Sequence, residues 1–81
     1  MRIPRDITGL ELIKLLNSFG YQISRQTGSH IRITTEMNGL HHITIPNHNP
    51  LRIGTISSIL LEVAQHFNIT KEALVNQLFE K

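Results

Sequence analysis

The chain has 81 residues, no cysteine, a net charge of +2 at pH 7 and a sequence pI of about 9.5. This length suits one modest core, so we predict a single domain over residues 1–81, without a cofactor, a disulfide or a thiolate metal site. The longest apolar run is Ile59-Leu60-Leu61, far too short to span a membrane, and we expect a cytoplasmic protein whose weak positive charge is compatible with a polyanionic partner.

The first predicted element is a helix that begins after Thr8. The sequence Thr8-Gly9-Leu10-Glu11 matches a capping box, in which the threonine and glutamate side chains bind each other's backbone N–H groups. Gly20 is well placed to end this helix in a left-handed conformation. The apolar stripe of this helix has helical spacing and consists of Leu12, Leu15, Leu16 and Phe19. Leu10 and Ile13 widen this stripe.

Three segments with alternating apolar residues follow. They predict β-strands at Tyr21–Arg25, Ser29–Thr35 and His41–Pro46. We expect these strands to form an antiparallel meander, because each pair is joined by three residues that end in glycine, Gln26-Thr27-Gly28 and Met37-Asn38-Gly39.

The predicted register assigns each side chain to one face of the sheet. Ile23 pairs with Ile31, and Ile33 with Ile43, so that the isoleucines face the helices. His30 then lies across from Ser24 on one side and Pro46 on the other. The open face carries Gln22, His30, Arg32, Thr34, His42 and Thr44.

The rest of the chain predicts two more helices. After an irregular connection at Asn47–Gly54, Thr55 is expected to cap a helix that Asn68 closes, with an apolar stripe of Ile56, Ile59, Leu60, Val63 and Phe67. Thr70 is expected to cap a short last helix that packs on the helix layer or against a second subunit in a homodimer, through Leu74, Val75, Leu78 and Phe79. The predicted fold class is α+β, in the order α-β-β-β-α-α, with an antiparallel sheet and helices on one face.

His30 and Arg32 are the main candidates for chemistry, since they place a titratable group beside a cation on the open face. With the neighbouring hydroxyl and amide groups they suit the phosphates and 2′-hydroxyls of RNA. A neutral His30 could remove the 2′-hydroxyl proton so that the oxygen attacks the adjacent phosphorus, or as imidazolium it could protonate the leaving 5′ oxygen. Arg32 would stabilise the charge on the phosphate, and no metal is required.

A second candidate site lies at the predicted start of the second helix. Free N–H groups of Ile56, Ser57 and Ser58, the nearby hydroxyls and Arg52 could hold a phosphate there. A capped helix end exposed to solvent is the alternative interpretation. The predicted RNA-binding residues are Ser29, Arg32, Arg52, Thr55, Ser57 and Ser58.

The five histidines do not predict a metal site. His41 and His42 are adjacent strand residues that point to opposite faces, and no carboxylate lies close in sequence to complete a site with His48. His66 is near the end of a helix, where a histidine interacts favourably with the helix dipole.

Several short motifs occur in a specific order: Phe19-Gly20-Tyr21, the run from Arg25 to His30, Ile45-Pro46-Asn47-His48, Ile53-Gly54-Thr55 and Ser58-Ile59-Leu60. Together they resemble the HicA (YcfA-like) toxins of HicA–HicB toxin–antitoxin systems. The resemblance implies the α-β-β-β-α double-stranded-RNA-binding fold and a ribonuclease that cleaves mRNA with His30 as its essential residue. It also implies a HicB-type antitoxin that covers this histidine.

Two features depart from that family. The segment after Asn68 extends beyond its shortest members, and the basic cluster that double-stranded-RNA-binding domains carry at their second helix is missing, which argues against plain duplex binding. Three functions stay open: a type II toxin that cleaves mRNA, a non-catalytic RNA-binding module on the same face, and a protein-interaction domain that docks through it. A neighbouring gene for a HicB-like antitoxin would favour the first.

Overall fold

The computed structural model describes residues 2–80, so Met1 and Lys81, the ends of the predicted domain, lie outside the described residues. Three antiparallel strands form one sheet in which the second strand of the chain lies between the other two, and the predicted α+β fold class and element order are confirmed. The elements are α1 (Gly9–Leu16), β1 (Gln22–Thr27), β2 (His30–Thr35), β3 (His41–Pro46), α2 (Ile53–His66) and α3 (Lys71–Phe79).

The start and end of α1 follow from local sequence. The Thr8 N–H donates to Glu11 Oε1 at 2.8 Å and the Glu11 N–H donates to Thr8 Oγ1 at 3.1 Å, which confirms the capping box. A turn of 3₁₀ helix at Asn17–Phe19 leads to Gly20, which ends the helical segment with a φ of +83° as predicted. The apolar stripe is narrower than predicted, because Leu10 is exposed.

The predicted register of β2 and β3 is confirmed. Ile33 pairs with Ile43 and His30 with Pro46, and the four isoleucines of these two strands are buried. The connecting loop spans residues 36–40, longer than predicted, because the paired residues end at Thr35 and His41. Thr35 is buried, and its hydroxyl donates to the Phe19 carbonyl at 2.8 Å, which fixes the start of this loop.

The predicted pairing of β1 is wrong. Thr27 pairs with His30 across a two-residue turn, Gly28-Ser29, in which Gly28 has a φ of +58°, and Ile23 pairs with Ile33 instead of Ile31. A β-bulge between Ile23 and Arg25 absorbs the change of parity that this shorter turn introduces. Ile23 is 51 % exposed, since β1 is an edge strand beyond the helix layer.

The helices cover one face of the sheet, where α1 and α2 both pack on β3. The second helix begins at Ile53, earlier than predicted, so Thr55 lies inside its first turn and does not cap it. The reason lies two residues before the helix, at Leu51. This residue is buried and its N–H donates to the Ile7 carbonyl at 2.8 Å, so the helix starts directly after the extended Arg52. Asn68 follows the helix with a φ of +57°, as predicted.

The last helix begins as predicted, with the Thr70 hydroxyl accepting a hydrogen bond from the Ala73 N–H at 3.0 Å. It packs on α2 and buries Leu74, Val75 and Leu78 within the chain. A homodimer stays a prediction. None of the helices in residues 2–80 is long and apolar enough to cross a membrane.

Candidate functional site

The uncovered face of the sheet, which we call the open face, is polar. Its paired strand residues include no acidic side chain, and Glu36 of the loop after β2 borders it beside Gln22, Ser24 and Thr34. Residues that are paired directly across neighbouring strands lie on the same face of a sheet, so the observed pairs identify the residues of the open face. They are Gln22, Arg25, Thr27, His30, Arg32, Thr34, His42, Thr44 and Pro46. The bulge residue Ser24 also contributes its hydroxyl to this face, where it contacts the Thr34 hydroxyl at 2.7 Å.

His30 is the first residue of β2 and is exposed on this face. It lies between Thr27 and Pro46, so the predicted neighbour Pro46 is confirmed and the predicted neighbour Ser24 is wrong. The turn that presents His30 is held by a hydrogen bond from the Asn47 N–H to the Ser29 carbonyl at 2.7 Å. His30 thus stands at one end of the sheet, open to a ligand that approaches the uncovered face.

A pair of arginines lies next to His30. Arg25 of β1 is directly opposite Arg32 of β2, and both are exposed. Unbroken alternation from Ile23 would put Arg25 on the covered face, and the bulge turns it to the open face. Like charges directly opposite each other destabilise a sheet, so an anion between the two guanidinium groups would be favourable.

The second predicted site is a groove beside β3. Its volume is about 490 Å³, and it is lined by Thr44, Pro46, Arg52, Gly54, Thr55, Ser58 and Ile59. The Ile56 N–H donates to the Arg52 carbonyl at 3.0 Å, so the free N–H groups of the first turn are those of Ile53, Gly54 and Thr55, not the predicted ones. Ser57 does not line the groove, and its hydroxyl accepts a hydrogen bond from Lys71 Nζ. Because Pro46 pairs with His30, the groove meets the open face beside His30.

A cluster of aromatic and titratable groups lies under the other end of the sheet, and no pattern in the sequence predicted it. The His41 and His66 rings stack with centroids 4.4 Å apart and an interplanar angle of 11°. His41 Nδ1 contacts the Tyr21 hydroxyl at 2.7 Å, and His41 Nε2 is 3.5 Å from Glu62 Oε2. His66 Nε2 lies 2.9 Å and 3.0 Å from two loop carbonyls, those of Met37 and Gly39, so it carries a hydrogen and donates to them.

Burial and charge in this cluster set the protonation of its members. Burial, and secondly the charge of Glu62, raises the pKa of Tyr21 to about 12, so its hydroxyl stays protonated. Because His41 Nε2 faces the Glu62 carboxylate, the hydrogen of a neutral His41 belongs on Nε2, and Nδ1 accepts from the Tyr21 hydroxyl. Burial lowers the pKa of His41, and so do His66 and His42, whereas Glu62 opposes them. The period of two assigns His41 to the covered face, opposite to His42, but no sequence pattern pairs it with His66.

This cluster makes stability depend on pH. Because the pKa of His41 is lower in the folded chain than its ordinary value of about 6.5, the unfolded chain binds more protons as the pH falls through about 6.5. The stabilising effect of a neutral His41 is therefore complete above that pH and is lost progressively below it. His41→Asn keeps a side-chain oxygen that can accept from Tyr21 but cannot be protonated in this range.

We expect the difference in free energy of unfolding between the original protein and His41→Asn to shrink as the pH is lowered from about 7.5 to about 5. Urea denaturation of both proteins across this pH range measures the difference. The contributions of the other histidines to the pH dependence are largely the same in the two proteins and cancel. Two parallel curves would show that His41 is not held neutral by the fold.

Comparisons with known proteins connect these features to a family. A family model described as the HicA toxin of bacterial toxin–antitoxin systems matches residues 9–65, from α1 to the last turn of α2 and more than half of the chain. Searches of curated proteins and of solved structures find no significant match. Within residues 2–80, no group of three or more histidine and acidic side chains is arranged to hold a metal ion.

Proposed function

Because this chain belongs to the HicA toxin family, we propose that it is the toxin of a type II toxin–antitoxin system and a metal-independent endoribonuclease that cleaves mRNA in the cytoplasm. His30 is the proposed catalytic residue. The observation that carries the proposal is the position of His30, exposed on the open face next to the opposed pair Arg25 and Arg32 and at the end of the sheet away from Glu36. A proton-transfer group beside two cations suits a phosphodiester substrate.

The proposed reaction needs only the 2′-hydroxyl of the RNA and the side chains on this face. The 2′ oxygen forms a bond to the adjacent phosphorus while the bond from phosphorus to the 5′ oxygen breaks. His30 either accepts the proton of the 2′-hydroxyl or, as imidazolium, donates a proton to the leaving 5′ oxygen. Arg32, assisted by Arg25, stabilises the charge that develops on the phosphate oxygens.

The groove beside β3 gives the RNA a route away from His30. Pro46 borders both the open face and the groove, so an RNA chain that crosses the open face can continue toward Arg52, Thr55 and Ser58. The free N–H groups at the start of α2 add partial positive charge at that point. We therefore propose Ser29, Arg32, Arg52, Thr55 and Ser58 as RNA-binding residues, whereas Ser57 is occupied by Lys71.

The phosphate contact of Arg52 is testable through salt. Arg52→Ala should weaken RNA binding and reduce the slope of log K against log salt concentration by about 0.7, the contribution of one phosphate contact on a single strand. Fluorescence anisotropy with a labelled RNA, measured in the inactive His30→Ala background, gives both quantities. Arg5→Ala is the matched control, because Arg5 borders a different cavity beside Phe79. An unchanged slope in Arg52→Ala would move the phosphate site elsewhere.

Members of a toxin–antitoxin family act with an antitoxin. We propose that the partner here is a HicB-type antitoxin that binds over the open face and covers His30. The imidazole is exposed in the free chain, so occlusion can be followed by its reactivity. Chemical modification of His30 should be fast in the free protein and slow in the complex.

Induced expression in a bacterial host tests the proposed function as a whole. We expect growth arrest and loss of full-length mRNA, both relieved by coexpression of the antitoxin. RNA that is bound by the purified protein but stays intact would instead support a non-catalytic RNA-binding module on the same face. Intact RNA without binding would contradict both functions.

A further inference from the structure

Two adjacent histidines of β3 have opposite surroundings. His41 lies on the covered face, where its Nδ1 accepts the hydrogen of the Tyr21 hydroxyl, so protonation would remove this acceptor. His42 is exposed on the open face, where its Nδ1 lies 2.8 Å from the Thr34 hydroxyl oxygen. The two rings are neighbours in sequence, yet only His42 faces the proposed substrate surface.

A chain of hydrogen bonds across all three strands orients His42. The Ser24 hydroxyl is 3.2 Å from the Arg32 carbonyl and 2.7 Å from the Thr34 hydroxyl, which in turn contacts His42. A carbonyl oxygen only accepts, so Ser24 donates to it, Thr34 donates to Ser24, and His42 Nδ1–H donates to Thr34. One arrangement of hydrogens therefore satisfies all three contacts.

This arrangement already suits a charged imidazole. The Nδ1 of His42 is a donor in it, so protonation adds a hydrogen only at Nε2 and disturbs no existing bond. The charged side chains on this side of the sheet are Arg25, Arg32 and Glu36, which follows β2 and lines the same cavity as Ser24 and Thr34. On the covered side of β3, the nearest titratable groups are His41 and Tyr21, with Glu62 and His66 of α2 beyond them. In residues 2–80 no carboxylate, Glu36 included, is within 4.0 Å of the His42 ring nitrogens, so its Nε2–H is available to a ligand.

From these contacts we infer that His42 is a second RNA-binding residue, which as imidazolium donates Nε2–H to a phosphate further along the RNA chain than the one at His30. The inference rests on the proposed function. His42 is directly opposite Thr34, and Thr34 is four residues from His30 on β2, about 13 Å at roughly 3.3 Å per residue. That separation is too long for both histidines to act on one scissile bond, so His42 contributes to binding and not to the proton transfers.

The test measures binding of a fluorescent oligouridine to the full chain carrying His30→Ala, in which the RNA stays intact. We expect the affinity for RNA to rise as the pH falls from about 8 to about 5.5. In His42→Asn this rise should be smaller by a factor of about 2 to 5, the effect of one exposed ion pair. The asparagine can keep a hydrogen bond to Thr34 but cannot carry a charge. His48→Asn is the matched control, because His48 lies in the connection after β3 and only its backbone carbonyl is hydrogen-bonded, to the Gly9 N–H.

A second variant separates orientation from charge. Thr34→Val keeps the imidazole but removes the hydroxyl that holds it, and we expect part of the loss seen in His42→Asn. With His30 present, His42→Asn should raise KM for RNA cleavage and leave kcat close to that of the original protein. If the pH dependence of binding is unaltered in His42→Asn, the inference about His42 is wrong and the proposed RNA substrate is unaffected. Absence of oligouridine binding in the His30→Ala protein itself would overturn both the inference and the proposed RNA substrate.

Discussion

Replacing His30 by alanine should abolish mRNA cleavage and growth arrest while leaving the fold intact. The imidazole is exposed at the start of β2, and surface substitutions usually change stability by within about 0.5 kcal/mol. Loss of a general acid or base typically costs about 10²–10⁴-fold in rate. Cleavage of a purified mRNA by the two proteins, with thermal melting of each, measures both effects.

The control for this prediction is His48→Ala, which also removes an exposed histidine near the end of the sheet and should have a milder effect. The His30→Ala protein should still bind RNA and the antitoxin. Full cleavage by a well-folded His30→Ala protein would eliminate the catalytic assignment. A strongly destabilised His30→Ala protein would instead show that the residue has a structural role.

The Gly9→Ala substitution should destabilise the protein by about 1–3 kcal/mol, the typical cost of overpacking. Gly9 is buried at the first position of α1, and its N–H donates to the His48 carbonyl at 3.0 Å. A Cβ at this position would overlap the Pro46 carbonyl oxygen and lie 3.3 Å from Asn47 Cα. Backbone atoms cannot rotate away, so α1 would have to move off the end of β3 or the segment after β3 would have to shift.

Gly54→Ala is the matched comparison, because Gly54 is also in the first turn of a helix but a Cβ added there would meet no neighbouring atom within 4 Å. The higher helix propensity of alanine should make this substitution neutral or stabilising by up to about 1 kcal/mol. Thermal melting compares the two proteins, with a shift of about 4–8 °C expected for each kcal/mol in a domain of this size. Equal melting temperatures for Gly9→Ala and Gly54→Ala would show that α1 and β3 are less closely packed than the structure indicates.

Local sequence was sufficient for the elements whose signals lie within three or four residues. The capping box at Thr8, the left-handed Gly20 and the cap at Thr70 depend only on near neighbours, and all three are present. The alternation of isoleucines in β2 and β3 was equally informative, because a slip of one residue would expose the entire apolar set. The exposed position of His30 and its pairing with Pro46 follow from that alternation.

The first hairpin shows where this reasoning stops. A glycine near a turn is compatible with the end of a three-residue loop or the first position of a two-residue turn, and an inserted bulge residue restores the parity in the second case. The choice depends on how β1 packs as an edge strand against β2, which is a tertiary property. It decides that Arg25 lies opposite Arg32 and that Ser24 reaches Thr34.

Contacts between segments that are distant in the chain could not be predicted from the sequence either, because they also depend on tertiary packing. The start of α2 depends on Leu51, which is buried and bonded to Ile7 far away in the chain, and this displaced the free N–H groups from the predicted positions. The stack of His41 on His66 joins a strand to the end of a helix. Periodicity assigns a side chain to a face, but which residue it meets there depends on the packing of one element on another, and that is set only when the whole core forms.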